Sequence, residues 1–285
     1  MDALATFAAR ALRRALPPET LAMAEAIRSR HHNVQAVLAY GSTLRGVATA
    51  DTLMDFYVLT ATLADVSPNI ISRAGAALLP PNVYYAECSV NGQTFRAKYA
   101  VLTLARFARK MRVGNPYFWA RFAQPTALIL AADAAAEAAV AEAVAQALRT
   151  GWARALALHP QGPAAAQWSA LFAETYRTEL RPEGQNRPGS IVTAWPDYYD
   201  EAARLMADVA PHAVAWPLRR LEGKLLTMLR LAKAGFTFAG GADYIVWKIE
   251  RHSGAKITLT DWQRRHPLIA GLLHLPSLLR RGAIR

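Results

Sequence analysis

The chain has 285 residues, of which 53% are hydrophobic, and its 33 Lys and Arg outweigh 21 Asp and Glu to give a formal net charge of +12. This length suits two modest domains, and the apolar content is ample for packed cores, which excludes a disordered chain. The positive charge favours a polyanionic partner (a nucleotide, RNA or an anionic membrane) and does not choose among the three. The single cysteine, Cys88, excludes an intrachain disulfide and a cysteine zinc site.

Two helices are predicted at the start of the chain. An amphipathic, Arg-rich segment over 1–16 is interpreted as a folded helix and not as a mitochondrial presequence, because it leads through a Pro-Pro pair into a second helix over 19–30. His31 and His32 follow in the turn before the first strand. We interpret them as solvated loop residues rather than metal ligands.

The stretch from 36 to 60 has the pattern of a strand, a turn and a second strand. An apolar strand over 36–40 runs into Gly41 and Ser42, and after an irregular link a second apolar strand carries Asp55. A strand that leads into Gly-Ser brings backbone N–H groups and a hydroxyl to one point, as a polyphosphate requires. A carboxylate on the neighbouring strand would hold the magnesium ion that neutralises this phosphate. This arrangement is typical of a nucleotidyltransferase site.

The motif is incomplete, because such sites have two acids at alternate positions of the second strand. Here Leu53, Asp55 and Tyr57 share one face, so that only one carboxylate is in register. Asp51, at the entry of the strand, is the candidate for the second. The alternative is that Gly-Ser forms only a turn between two apolar strands.

A hairpin follows a predicted helix over 65–79. Two β-rich runs between residues 83 and 103 flank an Asn-Gly pair, which is a strong signal for a tight hairpin turn. Glu87, in the first run, either faces outward or serves as a third acid, as metal ligand or base. Lys98, in the second run, either neutralises a phosphate or lines a solvated edge.

Several short motifs occur in a fixed order. They are A-Y-G-S at 39–42, M-D-F-Y-V at 54–58, V-Y-Y followed by V-N-G within 83–92, K-Y-A-V at 98–101, and Y-F-W-A-R-F-A-Q-P at 117–125. In this order they resemble the mitochondrial-type phosphatidate cytidylyltransferases, the CDP-diacylglycerol synthases of the translocator assembly and maintenance family. The resemblance covers about 35–130 well and the remainder loosely, and this family also has a single acid in its second strand.

Three departures from the family pattern bear on nucleobase and lipid specificity more than on the fold. Thr43 stands where the family usually has Gly, the loop from Thr43 to Asp51 differs, and Gln124 replaces a Lys before Pro125.

The resemblance implies Mg²⁺-dependent transfer of CMP from CTP to phosphatidic acid, which gives CDP-diacylglycerol and pyrophosphate for phospholipid biosynthesis. The implied cofactor is Mg²⁺, and the implied partners are CTP, phosphatidic acid and an anionic membrane surface. No nucleic-acid partner is expected. The expected location is cytoplasmic, peripherally associated with the inner face of the membrane; the oligomeric state is not indicated.

Each role is assigned to positions of this sequence. The expected catalytic residues are Asp55, Glu87 and Lys98. The expected metal ligands are Asp55, Glu87 and Asp51. The expected nucleotide- and phosphate-binding residues are Tyr40, Gly41, Ser42, Arg45 and Arg121.

The expected fold is α+β, with a nucleotidyltransferase-like mixed sheet and flanking helices followed by a mainly helical C-terminal domain. The catalytic domain is predicted over 1–130, a helical domain that completes the cleft over 131–262, and a basic and apolar tail over 263–285. The Ala-rich run at 125–148 is interpreted as helical. Further helices are predicted over 133–149, 164–178, 197–209, 217–234 and 241–252. The tail either rests on anionic lipid or packs on the core.

Two other functions remain open. A nucleotidyltransferase that acts on RNA or on another phosphorylated acceptor would also have a basic groove. An inactive relative that keeps the fold as a nucleotide-binding module is compatible with the single in-register acid.

Overall fold

The computed structural model describes residues 2–44, 53–179, 187–237 and 260. Its elements are α1 Ala3–Leu12, α2 Pro18–Arg28, β1 Val34–Tyr40, a 3-10 turn Gly41–Leu44, β2 Leu53–Thr60, a 3-10 turn Ala64–Val66, α3 Ile70–Leu78, β3 Asn82–Val90, β4 Gln93–Thr103, α4 Leu104–Lys110, α5 Trp119–Phe122, β5 Thr126–Ala131, α6 Ala134–Leu158, α7 Ala164–Arg177, α8 Arg187–Thr193, α9 Pro196–Arg204 and α10 Trp216–Thr237.

The strands form one mixed sheet in the order β3-β4-β2-β1-β5. β2 and β4 run parallel, and the other neighbouring pairs are antiparallel. The predicted α+β class with a mixed sheet and helices is therefore confirmed.

The hairpin between β3 and β4 forms as the sequence predicts. Asn91 and Gly92 have φ values of 52° and 77°. Both residue types tolerate positive φ, which a two-residue turn between twisted strands requires. This turn fixes the register in which Tyr85 lies opposite Lys98 and Glu87 lies opposite Arg96.

The sheet buries both of its faces. The front face carries Leu38 and Tyr57 and is covered by α1, α6 and α7, whereas the back face carries Val37 and Phe56 and is covered by α2. Successive residues of a strand point to opposite faces. The alternation predicted for β2 is thus confirmed, with Asp55 on the same face as Tyr57.

The predicted helix over 65–79 is wrong in its first third. A 3-10 turn ends at Val66, and α3 begins only at Ile70, with the Asn69 side chain accepting hydrogen bonds from the Ile71 and Ser72 N–H groups. Pro68 accounts for the break, because proline lacks the N–H that a helix needs and disfavours helical backbone in the residue before it.

The interpretation of 125–148 as helical throughout is also wrong. Thr126–Ala131 forms β5 and pairs with β1, and α6 begins at Ala134, where the Asp133 side chain caps it by accepting a hydrogen bond from the Ala136 N–H. Pairing with an open edge of the sheet overrode the local helical propensity of this segment.

Residues on both sides of the predicted boundary at 130 share the front-face cluster of buried side chains, which extends from Leu4 to Met206. The predicted helix over 241–252 and the tail over 263–285 lie outside the described residues. Within the ranges that the structure describes, no helix is long and apolar enough to cross a membrane.

Candidate active site

A tight contact joins the end of β1 to Asp55 of β2. Gly41 follows β1 with a φ of 69°, and a Cβ at Gly41 would lie 3.7 Å from Asp55 Oδ2. The buried Thr43 hydroxyl accepts a hydrogen bond of 2.8 Å from the Asp55 N–H. The turn after β1 and the acid are therefore held close together by backbone conformation and a side-chain hydrogen bond.

Lys98 lies beside Asp55 because the parallel pairing of β2 and β4 places the two residues in register. Its Nζ lies 3.3 Å from Asp55 Oδ1, and the side chains are 39% and 21% exposed. Asp55 Oδ1 is itself buried and accepts no hydrogen bond from the described residues. The negative charge of Asp55 is thus balanced by Lys98, but one carboxylate oxygen accepts no hydrogen bond from the described residues.

Asp55 and Lys98 belong to a row of side chains that runs across the sheet from β2 to β4 and on to β3. Glu87, which was predicted to lie beside Asp55, is not the β3 residue in this row. Tyr85 lies opposite Lys98 instead, and its hydroxyl donates a hydrogen bond of 2.7 Å to Glu87. Arg96 Nε donates to the same carboxylate oxygen at 3.1 Å. Burial raises the pKa of Tyr85, and the Glu87 carboxylate raises it further. Because β4 separates β3 from β2, Glu87 is displaced from Asp55 by about 10 Å across the sheet.

Arg121 belongs to a buried ion pair on the front face. Its guanidinium lies 2.6 Å from Glu179, with side chains 14% and 13% exposed, and it also donates to the Tyr117 carbonyl. Burial lowers the pKa of Arg121, but the Glu179 carboxylate and the Tyr117, Tyr57 and Tyr40 side chains together outweigh that effect and raise it above its ordinary value. The charge of Arg121 is therefore already balanced within the protein.

Tyr40 precedes the Gly41 turn and packs among aromatic rings. Its ring centroid lies 5.2 Å from that of Tyr57 and 6.1 Å from that of Phe122. These contacts place it between the turn and the buried front face.

Cations outnumber acids between α4 and α10. Lys110 is partly buried, and its pKa is lowered by burial and then by the charges of Arg230, Arg109 and Arg106, whereas Glu222 opposes the shift. Arg230 lies 3.7 Å above the Tyr117 ring and donates to the Pro80 carbonyl. Through Tyr117 this basic region adjoins Arg121.

The remaining predicted residues, Arg45 and Asp51, lie outside the described residues, as does the side chain of Ser42. Of the residues that the structure describes, no three His, Cys, Asp or Glu side chains are grouped to hold a metal ion.

Sequence reasoning gave no role in this region to Tyr85, Arg96 or Glu179, and it noted Thr43 only as a departure from the family pattern. The alternation of side chains along a strand puts Tyr85 and Glu87 on the same face of the hairpin. Counting back from the Asn-Gly turn then gives the register that pairs Lys98 with Tyr85. No local signal pairs Arg121 with Glu179, because the contact joins distant segments.

No protein-family model matches the chain, and no curated protein sequence matches it either. The resemblance to phosphatidate cytidylyltransferases therefore stays a prediction.

Proposed function

We propose that the protein is a Mg²⁺-dependent nucleotidyltransferase that transfers CMP from CTP to phosphatidic acid. The observation that carries the proposal is the Gly41 turn, which lies directly against the Asp55 carboxylate. Such a turn presents backbone N–H groups to a phosphate, and a carboxylate at the same point is a typical ligand of phosphate-bound Mg²⁺. The resemblance of the short motifs supplies the identity of the nucleotide and of the acceptor.

The residues around Asp55 fit a magnesium ion. Asp55 Oδ1 is a buried oxygen that accepts no hydrogen bond from the described residues. Mg²⁺ usually keeps several water ligands and is held by one or two carboxylates together with substrate phosphates. Asp55 would hold it here, with Asp51 as the further predicted ligand, because Glu87 lies two strands away and is engaged by Tyr85 and Arg96. When bound, the ion supplies neutralisation of charge on the reacting phosphate.

The protein's own groups bind and orient the substrates. The Gly41–Leu44 turn receives the β and γ phosphates, and Lys98, beside Asp55, donates to a phosphate oxygen. An ionised oxygen of phosphatidic acid forms a bond to the α phosphorus, the bond to the bridging oxygen breaks, and pyrophosphate leaves with the electron pair. Because the attacking oxygen is already ionised, no general base is needed, and positioning and charge neutralisation account for catalysis.

The basic region between α4 and α10 supports a phosphorylated acceptor. Lys110 makes no ion pair among the described residues, and three of the four charges that shift its pKa are cations. A partly buried cation whose charged neighbours are mainly cations is stabilised by an anionic ligand. This region adjoins Arg121 on the face of the sheet that also carries Asp55.

The test uses the purified full-length protein with CTP labelled at the α phosphate, Mg²⁺ and vesicles that contain phosphatidic acid. We expect label in the organic phase together with released pyrophosphate. In Asp55→Asn the rate should fall on the order of 10²-fold or more, because charge stabilisation at the reacting phosphate is lost. Glu137→Gln is the matched control, because this α6 carboxylate pairs with Arg13, the residue after α1. The activity of this variant should be unchanged.

Three outcomes would contradict the assignment. Labelled lipid from Asp55→Asn at the wild-type rate would remove the acid from the reaction. Label that appears only on added RNA would favour the RNA enzyme. CTP binding without any transfer would indicate the inactive relative. Competition with ATP, GTP and UTP in the same assay tests the choice of nucleobase.

A further inference from the structure

The back face of the sheet carries a cavity that the proposed function does not use. This cavity has a volume of about 680 Å³, and Arg30, His31, His32, Asp65, Tyr84 and Tyr99 are among the residues that line it. We call it the back pocket. Its volume lies within the range of small-molecule sites, about 300–1,000 Å³. Because Tyr99 directly follows Lys98 on β4, the two side chains point to opposite faces. The back pocket and the Asp55 site are therefore separated by the sheet.

The floor of the back pocket is aromatic. Tyr84 and Tyr99 are paired across β3 and β4, with ring centroids 5.5 Å apart and an interplanar angle of 31°. The His31 ring lies 5.8 Å from Tyr84 and 5.6 Å from Tyr99. The Tyr84 hydroxyl donates to the Val66 carbonyl, which fixes this ring in place. Three oriented rings at one cavity wall are suited to a planar ring of a ligand.

The rim of the back pocket carries one cation, Arg30, and one anion, Asp65, which do not pair with each other. Arg30 makes no ion pair with a carboxylate among the described residues, and its guanidinium donates a hydrogen bond to the Tyr85 carbonyl. The carboxylate of Asp65 interacts with other groups: it accepts hydrogen bonds from the Asn33 amide and from the Thr62 N–H and hydroxyl. A positioned guanidinium with donors to spare binds phosphate or carboxylate well.

We propose that the back pocket binds a small anion built on a planar ring, of the size and chemistry of a nucleoside monophosphate. The ring stacks on the Tyr84, Tyr99 and His31 wall, and the phosphate is held by Arg30 at the rim. This site is independent of the transferase reaction on the front face.

The test measures binding to the full-length protein by calorimetry and by saturation-transfer NMR, in EDTA so that Mg²⁺-dependent binding at the Asp55 site is suppressed. The three probes are AMP, adenosine, which lacks the charge, and ribose 5-phosphate, which lacks the ring. We expect AMP to bind roughly ten-fold or more tightly than either fragment, because it makes both the charged and the stacking contacts.

Substitutions locate the binding. Arg30→Gln should weaken AMP binding about ten-fold and leave adenosine binding unchanged. Tyr84→Ala should weaken the binding of both probes. Arg28→Gln is the matched control, because Arg28 is two residues away and pairs with Glu25 instead. Asp55→Asn should leave AMP binding unchanged, which separates this site from the proposed transferase site. Unfolding curves of each variant show that the fold is intact.

Each opposite result would overturn the proposal. If AMP bound no more tightly than ribose 5-phosphate, the binding would be due only to attraction between the phosphate and the positive charge, without stacking of the ring. If Arg28→Gln and Arg30→Gln weakened AMP binding equally, the binding would be due to diffuse surface charge and not to the back pocket. Loss of AMP binding in Asp55→Asn would move the ligand to the front face, and failure of all three probes to bind would exclude this ligand class.

Discussion

Two of the ion pairs on the front face, Arg121–Glu179 and Lys98–Asp55, differ in how completely their atoms are satisfied. Arg121 and Glu179 are 2.6 Å apart and almost buried, and Arg121 also donates to the Tyr117 carbonyl and lies on its ring. Asp55 and Lys98 are 3.3 Å apart and more exposed, and Asp55 Oδ1 accepts no hydrogen bond from the described residues. A saturated buried pair holds structure together, whereas an open pair exchanges its partner for a substrate at little cost.

The largest expected effect comes from breaking the buried pair. Glu179→Gln leaves the Arg121 charge buried without its carboxylate, so the free energy of unfolding should fall by about 3 kcal/mol. Asp55→Asn is the contrasting variant, and its loss should stay below about 1 kcal/mol because water reaches Lys98. Urea denaturation of both variants measures the difference. Equal losses would mean that the two pairs do not differ in the way their geometry indicates.

The Gly41 turn allows a sharper separation of stability from activity. Gly41 and Gly92 have φ values of 69° and 77°, so an alanine at either position should cost about 1–2 kcal/mol of stability through backbone strain. Only at Gly41 does the added methyl group come within 4 Å of a catalytic candidate, Asp55 Oδ2, because a Cβ at Gly92 meets nothing at that range.

We therefore expect Gly41→Ala and Gly92→Ala to lose similar stability in urea denaturation. Only Gly41→Ala should lose labelled lipid product in the CTP assay. If both variants retained full transfer activity, the turn would have no part in phosphate binding.

Local pattern predicted the part of the site that lies within one strand-turn-strand unit. Gly41 and Asp55 are close because β1 and β2 are antiparallel neighbours, which the short link between two apolar runs already indicates. Lys98 was expected in the site, but its position in register with Asp55 follows from the parallel pairing of β2 with β4. Parallel pairing joins segments distant in sequence, and side-chain period alone does not specify it.

In other parts of the chain, pairing between strands fixed structural features that the local sequence pattern did not predict. The segment over 126–131 became a strand because it pairs with β1, although its composition resembles that of the helix that follows. Glu87 was expected beside Asp55, and the hairpin register places Tyr85 opposite Lys98 instead. Thr43, which stood out as a departure from the family pattern, is the residue whose hydroxyl binds the Asp55 backbone. A glycine at that position cannot make this hydrogen bond.

The contrast between a buried and an exposed group recurs on the back face, where it leads to the smallest expected effect. Burial lowers the pKa of His31, and the charges of Arg30 and His32 act in the same direction, whereas a hydrogen bond with the Asp65 backbone opposes the shift. His32, the next residue, is exposed. The folded protein therefore keeps His31 neutral at a pH at which the unfolded chain is already taking up its proton.

The sign of the pH dependence follows from this difference. As the pH falls from about 6.5, the unfolded chain binds more protons than the folded protein, so the free energy of unfolding should decrease. His31→Gln should remove this part of the slope below about pH 6.5, and His32→Gln should keep it, as measured by urea denaturation at a series of pH values. A slope that survives in His31→Gln, or disappears in His32→Gln, would show that His31 is not the buried neutral group. Because each unit of pKa difference is worth about 1.4 kcal/mol, the measurement also gives the size of the His31 shift directly.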